Sequence, residues 1–129
     1  MHLLNLLRGH FALLEGKTLT TISENSPFTV VRAIPKTPRQ WATWLIEIKP
    51  GKAKTTTSIY YADMLRVYAW LAERDGRWCT FTDLSKAKLV YIGSGTESYL
   101  IPLLATLDDV EIGEDEKGKP AVRVNYPER

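Results

Sequence analysis

Between residues 30 and 60 the chain sets Arg32, Lys36, Arg39, Lys49, Lys52 and Lys54 against one acid, Glu47, with Trp41 and Trp44 among them. Cations at this density attract phosphate or another acidic surface; they also suit an ordinary solvated loop surface. An indole beside them gives a nucleobase a ring to stack on, worth about 1–3 kcal/mol per base. Trp44 falls on the same side of an extended segment as Ile46 and Ile48, which assigns it to a core. Trp41 is then the indole expected at the surface.

Other chemistry finds less support. His2 and His10 are the only histidines. Eight residues apart on one helix, they stand about two turns from each other, too far to share a metal. Cys79 is the single cysteine, so neither an intrachain disulfide nor a Cys/His zinc set can form from this chain. A lone thiol is expected to act as a small buried hydrophobe. Gly93-Ser94-Gly95 lacks the lysine of a phosphate-binding loop, and Ser94 has no base nearby in sequence, so capping is its expected role. No cofactor and no metal are implied.

The composition is that of a globular domain, with 44% hydrophobic and 25% charged residues. At 129 residues, one core without covalent staples is expected. The net charge of +2 hides a split: residues 1–107 hold 13 Lys/Arg against 8 Asp/Glu, and residues 108–129 hold 4 against 7. The apolar start, Leu3 to Leu7, is interrupted by Asn5 and followed by Arg8 and His10. It has no basic segment before it and no cleavage motif after it, so a signal peptide is not expected. No stretch approaches the ~20 apolar residues of a membrane helix, and a cytoplasmic location is the expectation.

The elements that must position these residues follow from periodicity. Leu3, Leu7, Phe11 and Leu14 mark a first helix, with Gly16 as its stop. Residues 19–23, 28–34, 41–49 and 55–59 read as β-strands separated by turns, and the simplest pairing is an antiparallel meander. Phe28, Val30 and Ile34 lie on one side of the second strand, where Arg32 interrupts. Tyr61, Met64, Leu65, Tyr68, Leu71 and Ala72 form one helical stripe; the helix is expected to open at Ser58 or Ile59 and end at Gly76. Thr80 and Asp83 resemble a capping pair for a short helix through Ala87. Leu100, Leu103, Leu104 and Leu107 stripe a last helix, with Pro102 best tolerated if it starts near Ser98. Val110 to Tyr126 reads as a hairpin whose loop holds Glu114, Asp115 and Glu116.

The fold class is therefore α+β: an N-terminal helix, a three- or four-stranded antiparallel meander, three helices and a C-terminal hairpin. It forms a single domain, 1–129, divisible into 1–58 and 59–129. From residue 59 onward, the order helix, short helix, helix, hairpin resembles a winged helix-turn-helix domain. The resemblance covers half the chain and implies that Ser98–Leu107 is the recognition helix and Val110–Tyr126 the wing. Ser98 and Tyr99 would reach nucleic acid from the helix start. The acids at the wing tip would oppose phosphate, against Lys117, Lys119 and Arg123.

A second resemblance rests on Glu47-Ile48-Lys49 at the end of a hydrophobic strand followed by a helix. This is similar to the PD-(D/E)xK nucleases. It implies Glu47 as a metal ligand, with magnesium the fitting ion, and Lys49 as a stabiliser of water or phosphate. The preceding acid such enzymes need is missing, since the first Asp is Asp63 and only Glu15 and Glu24 lie upstream.

Together these features favour a small non-catalytic nucleic-acid-binding domain. Its surface would use Lys36, Arg39, Trp41, Lys49, Lys52 and Lys54, with Ser98 and Tyr99. Alternatives are a protein-interaction or homo-oligomer module pairing the basic and acidic poles, and a degenerate nuclease core using Glu47 and Lys49. No membrane partner is expected.

Overall fold

The structure, a computed structural model, describes residues 9–21, 26–34, 44–51, 53–89 and 97–125. A helix α1, described over 9–12, leads into strands β1 (Thr18–Thr20), β2 (Pro27–Ile34), β3 (Leu45–Pro50) and β4 (Thr57–Tyr60). Helix α2 (Tyr61–Glu73), strand β5 (Cys79–Thr80) and helices α3 (Phe81–Ala87) and α4 (Glu97–Leu104) follow. Strands β6 (Val110–Glu114) and β7 (Pro120–Val124) complete the described elements. The class is α+β. One antiparallel sheet runs β1-β2-β3-β4, a second β5-β7-β6.

The first turn of the chain is set by Gly16, whose φ of +84° suits glycine. Its N–H donates to the Val30 carbonyl at 2.7 Å, which brings the end of α1 onto β2. In β2 the register slips between Val30 and Arg32. Without the slip, strict alternation would turn Arg32 inward with Phe28 and Val30. With it, Arg32 pairs with Glu47 on the outer side, and Ala33 rather than residue 34 comes opposite buried Ile46. The bulge thus carries Arg32 out of the inward set to which Phe28 and Val30 belong and explains how an arginine sits in a half-buried strand, while the side chain of Ile34 lies outside the described residues.

Helix α2 begins later than Ser58 or Ile59. Pairing wins at that point: Ile59 lies opposite Ile46, Tyr60 stays extended, and the Tyr61 N–H donates to the Trp44 carbonyl at 3.0 Å. The division near residue 58 accordingly falls inside β4. The predicted stripe faces inward, with Tyr61, Met64, Tyr68 and Leu71 buried. Ala62, Asp63 and Val67 are buried too, because α2 is covered by β4, β7 and α4 together. Asp75 and Gly76, both at positive φ, end the helical course.

Three further differences concern the second half. Two residues, Cys79 and Thr80, form β5 and pair with Val122 and Ala121, so the hairpin is the larger part of a three-stranded sheet. Thr80 and Asp83 do form a capping box: Thr80 Oγ1 accepts from the Asp83 N–H at 3.2 Å, and Asp83 Oδ2 from the Thr80 N–H at 3.0 Å. Helix α4 starts at Glu97, which puts Pro102 at its sixth position rather than in the first turn. The ring removes one intrahelical donor there, and burial of Leu100, Ile101, Leu103 and Leu104 offsets that loss.

One core joins both sheets. Phe11, Phe28, Ile46, Tyr61, Leu100 and Val122 belong to a single buried cluster. His10 closes it from the side. Thr106 Oγ1 donates its one proton to the Leu103 carbonyl at 2.7 Å, so the 2.7 Å contact with His10 Nε2 requires the ring nitrogen to be the donor. Tyr68 donates to Asp109 and ties α2 to the turn before β6.

Candidate nucleic-acid interface

Cross-strand partners lie on one face of a sheet, so the register defines what the outer face of the four-stranded sheet presents. One row is Thr18, Thr29 and Lys49; the next is Arg32, Glu47 and Ser58. Arg32 and Lys49 are exposed, as is Lys54 in the connection to β4. Hydroxyls fill the spaces: Thr18 Oγ1 and Thr29 Oγ1 are 3.2 Å apart, and Thr56 Oγ1 donates to Glu47 Oε2 at 3.4 Å. Glu47 is the one acid within β1–β4. Toward this end of the sheet the face is therefore positive and rich in hydroxyl groups; at the other end Leu45, on the same side as Glu47 and Lys49, is buried.

Of the residues expected to bind nucleic acid, Lys49 lies on this face and Lys54 beside its turn. Lys36, Arg39, Trp41 and Lys52 lie outside the described residues, as does the side chain of Ser98. Trp44 is core, 5% exposed and edge-on to Tyr61 at 6.1 Å between ring centroids. Tyr99 is half-buried and packs edge-on against fully buried Phe28 at 5.3 Å.

Glu47 and Lys49 do share one face, as alternate residues of a strand must. The partners of Glu47 across the sheet are Arg32 and Ser58, and no second carboxylate lies in these four strands. Glu15 serves elsewhere: its Oε1 accepts from the Ala33 N–H at 3.0 Å and satisfies the backbone just past the bulge. Asp63, buried in α2, accepts from Arg66 Nη1 at 2.8 Å. Among the described residues no group of three or more His, Cys, Asp or Glu could hold a metal ion. Two-carboxylate metal chemistry has no assembled site in this part of the molecule.

The described side chains of helix α4 are mostly covered. Leu100 through Leu104, Pro102 included, are all buried. It packs against β1 and α2, and Tyr99 against Phe28 of β2.

A second basic and aromatic surface appears where sequence reasoning did not look. Trp70, Arg74, Arg77, Trp78, Asp83 and Lys86 line an open basin of about 530 Å³ between the end of α2, β5 and α3. The Arg74 guanidinium lies 4.0 Å from the Trp70 ring centroid. Trp78 crosses the outer face of the three-stranded sheet: a Cβ at Gly113 would come within 2.7 Å of its ring, and Arg123 stacks on it at 4.3 Å. Arg123 also reaches Glu111 at 3.4 Å, and Asn125 Nδ2 donates to Glu111 at 2.7 Å. Those hydrogen bonds, from Asn125 foremost, hold the Glu111 carboxyl below the usual glutamate range. Cys79 lines the basin, and its thiol is pushed up first by burial and then by the Asp83 charge. The one local signal was Trp70 and Arg74 at i, i+4 on a helix.

No protein-family model matches the chain, and no curated protein or solved structure is similar to it at a significant level.

Proposed function

We propose that this domain binds nucleic acid through the phosphate backbone, using the outer face of its four-stranded sheet. The observation that carries the reading is the pair of adjoining rows set by the bulge, in which exposed Arg32, across from Glu47, and exposed Lys49, two residues along from it, flank the only acid of those strands, with threonine and serine hydroxyls beside them. Such a face contacts phosphates through charge and hydroxyl groups, without base readout. Trp41, outside the described residues, is the proposed stacking partner. Lys36, Arg39, Lys52 and Ser98 keep the roles expected of them.

The order α2, α3, α4, β6, β7 supports a winged-helix-like framework for the second half, now with β5 as a third strand. In this proposal the framework is a support. Burial of α4 favours the sheet, rather than that helix, as the contact surface.

The test is fluorescence anisotropy of a labelled 20-nucleotide single strand, titrated with the full chain at several salt concentrations. Affinity should fall linearly on logarithmic axes, by about 0.7 in slope per phosphate neutralised. Binding without salt dependence, or none at low salt, contradicts the proposal. Light scattering run alongside separates this from self-association of the basic face with the acidic hairpin tip, which would appear as salt-sensitive oligomers without added nucleic acid.

A further inference from the structure

From the Trp70–Trp78 basin we infer a separate site for a nucleoside phosphate, taken either as a free nucleotide or as one unit of a single strand. Three features converge on that chemistry. The first is charge: Arg74, Arg77 and Lys86 line the basin, against Asp83. Asp83 is committed to the capping box with Thr80, and among the described residues the ion pair of Arg74 is a 3.8 Å contact with exposed Glu73. The basin is thus net cationic.

The second is preorganisation. The Arg74 guanidinium is held 4.0 Å over the Trp70 ring centroid, and a guanidinium suits a phosphate in fork geometry. The third is flat apolar surface. Two half-buried indoles border the basin, and each already carries a stacked guanidinium. Nucleobases stack on indoles and on guanidinium planes alike. A bare inorganic anion would use the cations and leave the rings idle; a nucleoside phosphate uses both. A volume of about 530 Å³ falls within the range of small-molecule sites.

This site lies between the end of α2, β5 and α3, so it stands or falls independently of the face formed by Arg32 and Lys49. The probe is adenosine monophosphate, titrated into the full chain and followed by tryptophan fluorescence. Inorganic phosphate and a short single strand serve as parallel titrants. Saturable quenching by the nucleotide is expected. Exposed Arg77→Ala and Lys86→Ala should each weaken it about tenfold, with unchanged melting curves, while Lys49→Glu leaves it intact. Response to the strand but not to the mononucleotide, still lost in Arg77→Ala, assigns the site to a polymer unit.

Three results overturn the inference. One is no saturable response to either nucleotide titrant. Another is a response that persists in Trp70→Phe/Trp78→Phe. The last is inorganic phosphate binding as tightly as the nucleotide.

Discussion

The two sheets of this domain have opposite outer faces. On the four-stranded sheet most outer positions, Thr18, Thr29, Arg32, Glu47, Lys49 and Ser58, hold small or charged groups that are exposed or half-buried, and Leu45 at one end is buried. On the three-stranded sheet the equivalent surface is closed by one residue. Trp78 lies across Gly113, Arg123 stacks on it, and Ala121 beneath is fully buried. Both sheets turn their inner faces to the same core. The difference lies in what each sequence places on the solvent side: hydroxyls and cations keep a face available to a partner, whereas a glycine opposite a tryptophan seals one and moves the exposed chemistry to its edge.

The most disruptive test of this comparison attacks the shared core. Leu100→Ala should cost about 2–5 kcal/mol, and both sheets should melt in one transition seen alike by far-ultraviolet dichroism and tryptophan fluorescence. Two separated transitions would mean that the sheets are independent units. Next comes the sealed face. Gly113→Ala drives a methyl into the Trp78 ring and should cost about 1–3 kcal/mol in chemical denaturation. The matching change on the open face, Thr29→Ala, should stay within about 0.5 kcal/mol. Equal effects would erase the distinction.

A smaller loss, about 1 kcal/mol, is expected for Thr80→Ala, which removes the cap of α3 beside the basin. The smallest effect concerns Glu111. Its carboxyl is held below the ordinary glutamate range, so its contribution is complete above that range and disappears as pH falls through the lowered value. An NMR pH titration of the side-chain carboxyl should show this depression, and Asn125→Ala should reduce it. A titration at the ordinary glutamate position would dissolve the Glu111–Asn125–Arg123 cluster.

Much of this architecture was legible from residue order, for reasons that differ by element. The α2 stripe, the core role of Trp44 and the Thr80–Asp83 box are local signals, repeated within a turn or two. The bulge in β2 was visible only as an irregularity, Arg32 on an apolar side, because the slip depends on pairing with β3. Strand β5 carries no period in two residues and exists through partners about forty positions away. The burial of α4 had a signal that a single stripe hides: Leu100 to Leu104 is apolar without a break, the pattern of a helix covered on all sides. The basin was the least legible, since Trp70 and Arg74, Trp78, and Lys86 come from three separate segments. Of the expected binding residues, Lys49 reached the open face and Lys54 its margin, while Tyr99 became packing for Phe28.

The claim on which the functional account turns is that the open face meets phosphates. It is tested most directly by the salt dependence of single-strand binding in Arg32→Glu/Lys49→Glu beside the unmodified chain. Loss of two contacts should flatten the logarithmic slope by about 1.4 and weaken binding most at low salt, with the melting curve unchanged. An unaltered slope and affinity in that variant would contradict the account.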